Sequence, residues 1–409
     1  MAIIIALMAV VILLLASVTT RWIVTPAVVP DQVFHLEVAQ DMYQSGNLVT
    51  AHFLYHALVL GIYSITPAAG WTFSAAAANL LPQALSAALI YVALRMVFNA
   101  SDWGRQHLWW TRAISGGLAL GLVIAAPLIF IPEYFHIAFS PMLLGTVTPT
   151  TYHSPTTTTL RPLAFGLFLM VITFALKPQL SNKRVLNLAG VIALTALLTV
   201  VSSLAKPNYL LVLIPSLGLW VGLRWLLRRS NSWLVAILGV AIPGVLFLAW
   251  QYYFTYLNPT EALEGGGIIF APFRVMWNLT QSRSSMLLLF AVSFVFPVTV
   301  YGLYWREARR DLPLNFAWLS LVISLGFMYL LAESGLRMDH GNFFWGAYIA
   351  NWLLYFASVR LALKSWLAKE DGKLDWRSAV TLVVFLAHVI SGLMFIDSTI
   401  QWQIAYMMR

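Results

Sequence analysis

Cysteine is absent from the 409 residues. The chain therefore has no disulfide, no thiolate zinc or iron–sulfur site and no cysteine nucleophile. Charge is scarce as well: Asp, Glu, Lys and Arg make up 10% of the sequence, where a soluble domain carries about 25%. Also missing are an internal repeat, a low-complexity tail and any stretch polar enough to form an appended soluble domain.

What is there is apolar. Hydrophobic residues make up 60% of the chain and the mean hydropathy is +0.81. No water-soluble packing hides that much apolar surface, so lipid must be the solvent for much of it. Apolar runs long enough to cross a bilayer fall at 3–20, 72–97, 113–132, 158–176, 186–205, 208–227, 232–254, 285–305, 314–332, 344–363 and 378–396. These eleven runs predict an all-α, polytopic transmembrane helix bundle, with residues 1–409 forming a single membrane-embedded domain. The opening run has no Lys or Arg before it, unlike a secretory leader, and reads as the first span.

The net charge is +9, from 24 Lys+Arg against 15 Asp+Glu. With the N-terminus cytoplasmic and the ambiguous stretch 52–66 not spanning, 17 basic residues lie inside and 7 outside. That asymmetry is the positive-inside pattern of membrane proteins, so the basic balance does not call for a nucleic-acid partner. Residues 21–71 then form one long first outer loop carrying short interfacial helices. A bacterial inner or plasma membrane is the expected location. The acids and histidines collect elsewhere. Nine of the 15 acids and six of the eight histidines fall outside. Acids contribute little to topology, so this skew points to chemistry or binding at the outer face.

Four constellations carry that expectation. The first is Pro30-Asp31-Gln32-Val33-Phe34-His35-Leu36-Glu37, followed by Asp41. On a helix, Asp31 and His35 share one face and Glu37 and Asp41 another. Asp31 is either a cap at the helix start or a general base that takes the proton of an acceptor hydroxyl. The second is Tyr152-His153-Ser154-Pro155-Thr156 with Arg161, in a Thr-rich run. Arg161 either snorkels to the interface or grips a lipid phosphate through its guanidinium fork. The third runs from Glu333 through Arg337, Asp339, His340 and Asn342 to Trp345; its bland alternative is a solvated loop with Glu333 and Arg337 paired. The fourth is the outer segment 255–284, with Gly265-Gly266-Gly267 as a hinge and Arg274 and Arg283 beyond it. Metal binding by His35, His153 and His340 with Asp31 or Glu333 suits the residue types, but no short ligand spacing supports it. No cofactor is expected, and a divalent metal stays an open alternative.

An early acid in a long first outer loop, joined to a multi-span bundle with further polar outer loops, resembles the C-type (GT-C) glycosyltransferases. The resemblance is architectural and covers the first half of the chain best. It implies a polyprenyl-phosphate sugar donor, a glycan or lipid acceptor, and Asp31 as the catalytic acid of the first outer loop. Many relatives carry an acidic pair there, whereas Gln32 follows Asp31 in this chain, so Glu37 and Asp41 stand as alternative bases. In that reading Arg337, with Arg161 or Arg274, holds the departing phosphate, and His35, His153, His340, Glu333 and Asn342 line the substrate. The rival is a transporter or flippase for a lipid-linked or anionic substrate. Such proteins bind near the bilayer midplane, often with repeat symmetry. A third alternative is a non-catalytic subunit of a membrane assembly.

Overall fold

The computed structural model describes residues 30–137, 143–151, 153–176, 188–227, 233–257, 267–280, 282–369 and 373–407. The described chain is almost entirely helical. Its principal helices are α1 (Pro30–Ser45), α2 (Leu54–Ile65), α3 (Gly70–Asn99), α4 (Leu108–Ile124), α5 (Pro155–Met170), α6 (Leu188–Ala205), α7 (Asn208–Leu226), α8 (Ile242–Tyr252), α9 (Arg283–Val292), α10 (Val295–Leu303), α11 (Leu312–Leu330), α12 (Phe344–Leu367) and α13 (Trp376–Met407). The one described sheet is a small antiparallel pair, β1 (Ile268–Phe270) with β2 (Leu331–Glu333).

Among the described residues, seven helical segments are long and apolar enough to cross a membrane: Pro67–Asn99, Pro155–Ala175, Leu188–Ala205, Asn208–Leu226, Val235–Leu257, Leu312–Leu330 and Trp376–Thr399. An eighth arises if α9 and α10, bent by 55° at their junction, count as one broken span. Of the remaining expected runs, 3–20 lies outside the described residues. The 113–132 run stops being α4 at Ile124, where Ala125–Pro127 break the helix.

The run at 344–363 is the centre of the molecule. Nearly every residue of α12 from Phe344 to Leu363 is buried, on all sides of the helix. A helix apolar all round belongs in a core. One sheathed by protein has no need to match lipid, and α12 carries Asn351, Ser358, Arg360 and Lys364. Its polar side chains meet a specific demand. Backbone carbonyls at helix ends have no partner inside the helix, and hydrocarbon offers none. Trp352 Nε1 donates to Leu122 O in the last turn of α4 at 3.0 Å. Tyr355 Oη donates to Ser293 O, at the bend between α9 and α10, at 3.0 Å. Asn351 Nδ2 donates to Val147 O in the irregular stretch before α5. From α13, His388 Nδ1 donates to Ala126 O at 2.7 Å and Ser391 Oγ accepts from Ile129 N at 2.9 Å. His388 is thus a hydrogen-bonded core histidine.

The N-terminal helices fold as a unit on the start of α3. Leu36 and Ala39 of α1, Tyr55 and Val59 of α2, and Ala75, Ala76 and Ala78 of α3 form a second small core. Gln251 in α8 anchors the intervening loop, donating to Ala51 O at 3.2 Å and to Ser203 O at 2.8 Å. The helix around it is underwound on both sides of α8, with π turns at Val235–Ala241 and Tyr253–Leu257.

Candidate functional site

The periodicity of α1 sorts the three candidate carboxylates. Gln32, His35, Leu36 and Ala39 face inward, while Phe34, Glu37 and Asp41 are exposed. Asp31 lies half-buried at the edge of the inward face. Gln32 Nε2 donates to His153 O at 3.4 Å, which joins the start of α1 to the stretch before α5. His35 Nδ1 and His56 Nε2 share a hydrogen bond at 3.1 Å, which joins α1 to α2.

Lys206 lies at the middle of this arrangement. It sits between α6 and α7, followed by Pro207, which ends one helix and starts the next. It is buried, and its ammonium donates to Thr156 Oγ1 at 3.1 Å and Ser154 Oγ at 3.3 Å. The ammonium also lies 4.1 Å from the centroid of the Trp345 ring. The His153 ring packs on the same indole at 5.5 Å. Gly346 makes this possible. A Cβ there would lie 2.8 Å from Val212 Cγ2 and 3.0 Å from Asn208 O, so only glycine lets the first turn of α12 press onto α7 and deliver Trp345 to Lys206.

The electrostatics follow from burial. Desolvation pushes the Lys206 ammonium down to about 7, and the Asp31 carboxylate opposes that shift. Desolvation holds His153 down to about 4, again opposed by Asp31 and reinforced by Lys206. His56 falls to about 4 and His35 well below its ordinary value, both mainly by burial. Imidazoles held neutral by burial therefore lie around the Lys206 ammonium, which feels the charge of Asp31 without an ion pair among the described residues.

A second cluster adjoins the first. Glu333, buried at the end of β2, accepts from Tyr256 Oη and from Asn342 Nδ2. Asn208, two residues after Lys206, donates to Asn342 O. Glu333 takes neutral donors, and among the described residues no ion pair joins it to Arg337. Arg337 ends the turn Gly335–Arg337, half-buried, and its charge is felt at His52, as is that of Lys206.

The other expected residues lie apart from this convergence. Arg161 is buried in α5; it donates to Pro149 O, and its guanidinium lies 4.9 Å from the Trp352 ring. It holds the stretch before α5 onto α12. Arg274 is exposed at the start of the short helix Arg274–Thr280, and His340 is exposed beyond Arg337. Asp339 accepts from Asn278 Nδ2 at 2.7 Å. Tyr152, Gly265 and Gly266 lie outside the described residues. Among the described residues no three His, Asp or Glu side chains are grouped to hold a metal ion. No family model, no curated protein and no solved structure matches the chain.

Sequence reasoning placed Trp345 in its third constellation but missed Lys206, His52, His56 and Tyr256 as site residues. The available signal was Lys206 itself. An ionisable residue at the junction of two membrane-length apolar runs is costly unless it is used.

Proposed function

We propose that the protein is an inverting glycosyltransferase that takes a sugar from a polyprenyl-phosphate donor at the outer face of the membrane. The observation that carries this reading is buried Lys206, held by Thr156 and Ser154 against the Trp345 ring beside His153, with Gln32, the neighbour of Asp31, bonded to His153 O. A base and a phosphate-holding cation are what the reaction requires side by side. Asp31 takes the proton of the acceptor hydroxyl as its oxygen attacks the anomeric carbon. The bond from that carbon to the phosphate oxygen breaks with its electron pair staying on the phosphate, which leaves as polyprenyl phosphate. Lys206 and Arg337 stabilise that charge. In this reading Lys206 takes the place first given to Arg161, whose guanidinium is engaged by Pro149 O and Trp352. The eleven-span count, the cytoplasmic N-terminus, the bacterial membrane location and an interfacial lie for α1 and α2 belong to the same proposal.

The test is transfer by purified protein with a panel of polyprenyl-phosphate sugars, wild type against Asp31→Asn. Transfer that vanishes in a folded variant supports both the class and the base. Transfer that survives moves the base to Glu37 or Asp41. A second reading, transport of a lipid-linked or anionic substrate, draws on the 55° break between α9 and α10, since broken helices are a transporter device. Absence of transfer with every donor, together with substrate movement in proteoliposomes, would select it.

A further inference from the structure

α10 ends at Leu303 and α11 begins at Leu312, so residues 304–311 make a turn at one end of the bundle. α11 and α13 are each long and apolar enough to span. Tyr304 Oη lies 3.4 Å from Ser378 Oγ in the first turn of α13, so the turn stands beside Trp376 and Arg377, where these helices leave the hydrocarbon. The turn is held from within. Asn315 Nδ2 donates to Ala308 O and to Asp311 O, both at 2.7 Å. Tyr301 Oη fixes that amide by donating to Asn315 Oδ1 at 3.3 Å. Asp311 caps α11 by accepting from Leu314 N at 3.0 Å, and Arg360 of α12 bonds its carboxylate at 2.9 and 3.1 Å. Tyr304, Ala308 and Asp311 are buried, so the helical spacing sends Arg306, Arg309 and Arg310 outward, where all three are exposed.

The cations at this end divide into two groups. Arg95 donates to Thr111 Oγ1 and to Asn99 Oδ1, Arg105 pairs with Asp102, and Lys369 pairs with Asp375. Arg360 takes up the charge of Asp311, which would otherwise offset the arginines of the turn. Those arginines, 306, 309 and 310, form no ion pair among the described residues, and neither does Glu307 between them. Like charges three and four residues apart repel, and the Asn315 clamp keeps them in place. Topology sorting accounts for basic residues in a loop, but not for three fixed on one face beside exposed indoles. Trp305 and Trp376 are 54% and 64% exposed, and the Arg377 guanidinium lies 5.6 Å from the Trp376 ring centroid. Indoles belong at the level of lipid headgroups, so the arginines stand at the depth of lipid phosphates, which a guanidinium fork fits. Water or an acidic soluble protein answers the charges and leaves the indoles unexplained; a phospholipid answers both.

We propose that Arg306, Arg309, Arg310 and Arg377 form a site for the phosphate headgroup of an anionic bilayer phospholipid. The proposal is independent of the reading of the Asp31 site. The measurement is native mass spectrometry of full-length protein, delipidated in detergent and titrated with palmitoyl-oleoyl phosphatidylglycerol or with the phosphatidylcholine of the same chains. Wild type prefers the anionic lipid by about tenfold, and Arg309→Gln/Arg310→Gln brings the two lipids within about twofold. Arg274→Gln/Arg283→Gln removes the same charge from exposed positions at the other end of the bundle and keeps the wild-type preference. Equal affinity of wild type for the two lipids overturns the proposal. So does an equal loss in both double variants, which would make the preference a matter of net charge. Should Arg309→Gln/Arg310→Gln melt early, Arg306→Gln decides: a preference lowered about threefold supports the site, and an unchanged one overturns it.

Discussion

Lys206 Nζ lies 4.1 Å from the Trp345 ring while donating to Thr156 Oγ1 at 3.1 Å. The ammonium is thus held on an aromatic face by a fixed hydroxyl, with no carboxylate in direct ion pairing among the described residues. A cation so placed is ready for an incoming anion. Trp345→Leu removes the face, and a desolvated cation–π contact is worth up to about 2 kcal/mol. The expected outcome is about tenfold weaker binding of polyprenyl phosphate by isothermal titration, with Lys206→Met weaker still.

Binding of that phosphate should depend on pH in one direction. Free Lys206 sits near 7, below the ordinary 10.5 of a lysine, because burial disfavours its charge. A bound phosphate favours the ammonium and raises the value, so binding takes up a proton in the window above about 7. Affinity is therefore full below 7 and falls as pH rises, by up to about tenfold per unit. Lys206→Arg stays charged throughout, and its affinity should be flat between pH 7 and 9. A wild-type profile as flat as that of Lys206→Arg would remove Lys206 from the anion site.

The three acids of α1 should separate sharply. Asp31 is half-buried and acts on Lys206, whereas Glu37 and Asp41 are exposed. Loss of a general base typically costs about 10²–10⁴-fold in rate. Asp31→Asn is expected to fall by that factor in kcat, while Glu37→Gln and Asp41→Asn stay within about twofold by the same scale. Steady-state transfer rates of the three variants check the ordering.

Stability should respond at the middle of α12 and not at its ends. Trp352→Phe takes the side-chain donor from Leu122 O, and Tyr355→Phe leaves Ser293 O with only the long 3.5 Å bond from Asn351 Nδ2. Each is expected to cost about 1–3 kcal/mol, read as a lower Tm in detergent. Transfer at temperatures where Tyr355→Phe remains folded should be unchanged, since Tyr355 bonds Ser293 O and packs on His388, away from Lys206 and its partners.

The legible part of this molecule was what lipid dictates. Seven expected runs, from 72–97 to 378–396, coincide with helices long and apolar enough to span. Hydropathy reads those well because hydrocarbon tolerates little else. It could not see the break at Ala125–Pro127, since both sides of the break are equally apolar. Nor could it tell that 344–363 is sheathed by other helices, because protein interior and lipid demand similar side chains. At the site, the placing of Asp31 with His35, and of Glu37 with Asp41, on two faces of one helix agrees with the burial of α1. Which face meets the bundle depends on α2 and α3, far from those residues in sequence. Lys206 escaped notice because a Lys-Pro pair between two helices has the look of a turn, and its burial comes from Trp345, 139 positions later.

The donors on α12 also set an order of events in the making of the chain. Leu122, Val147 and Ser293 leave the ribosome well before Asn351, Trp352 and Tyr355, the side chains that meet their carbonyls. Synthesis runs from the N-terminus, so these three carbonyls are made before the side chains that meet them. Until α12 joins the earlier helices, the carbonyls lack the donors that it brings.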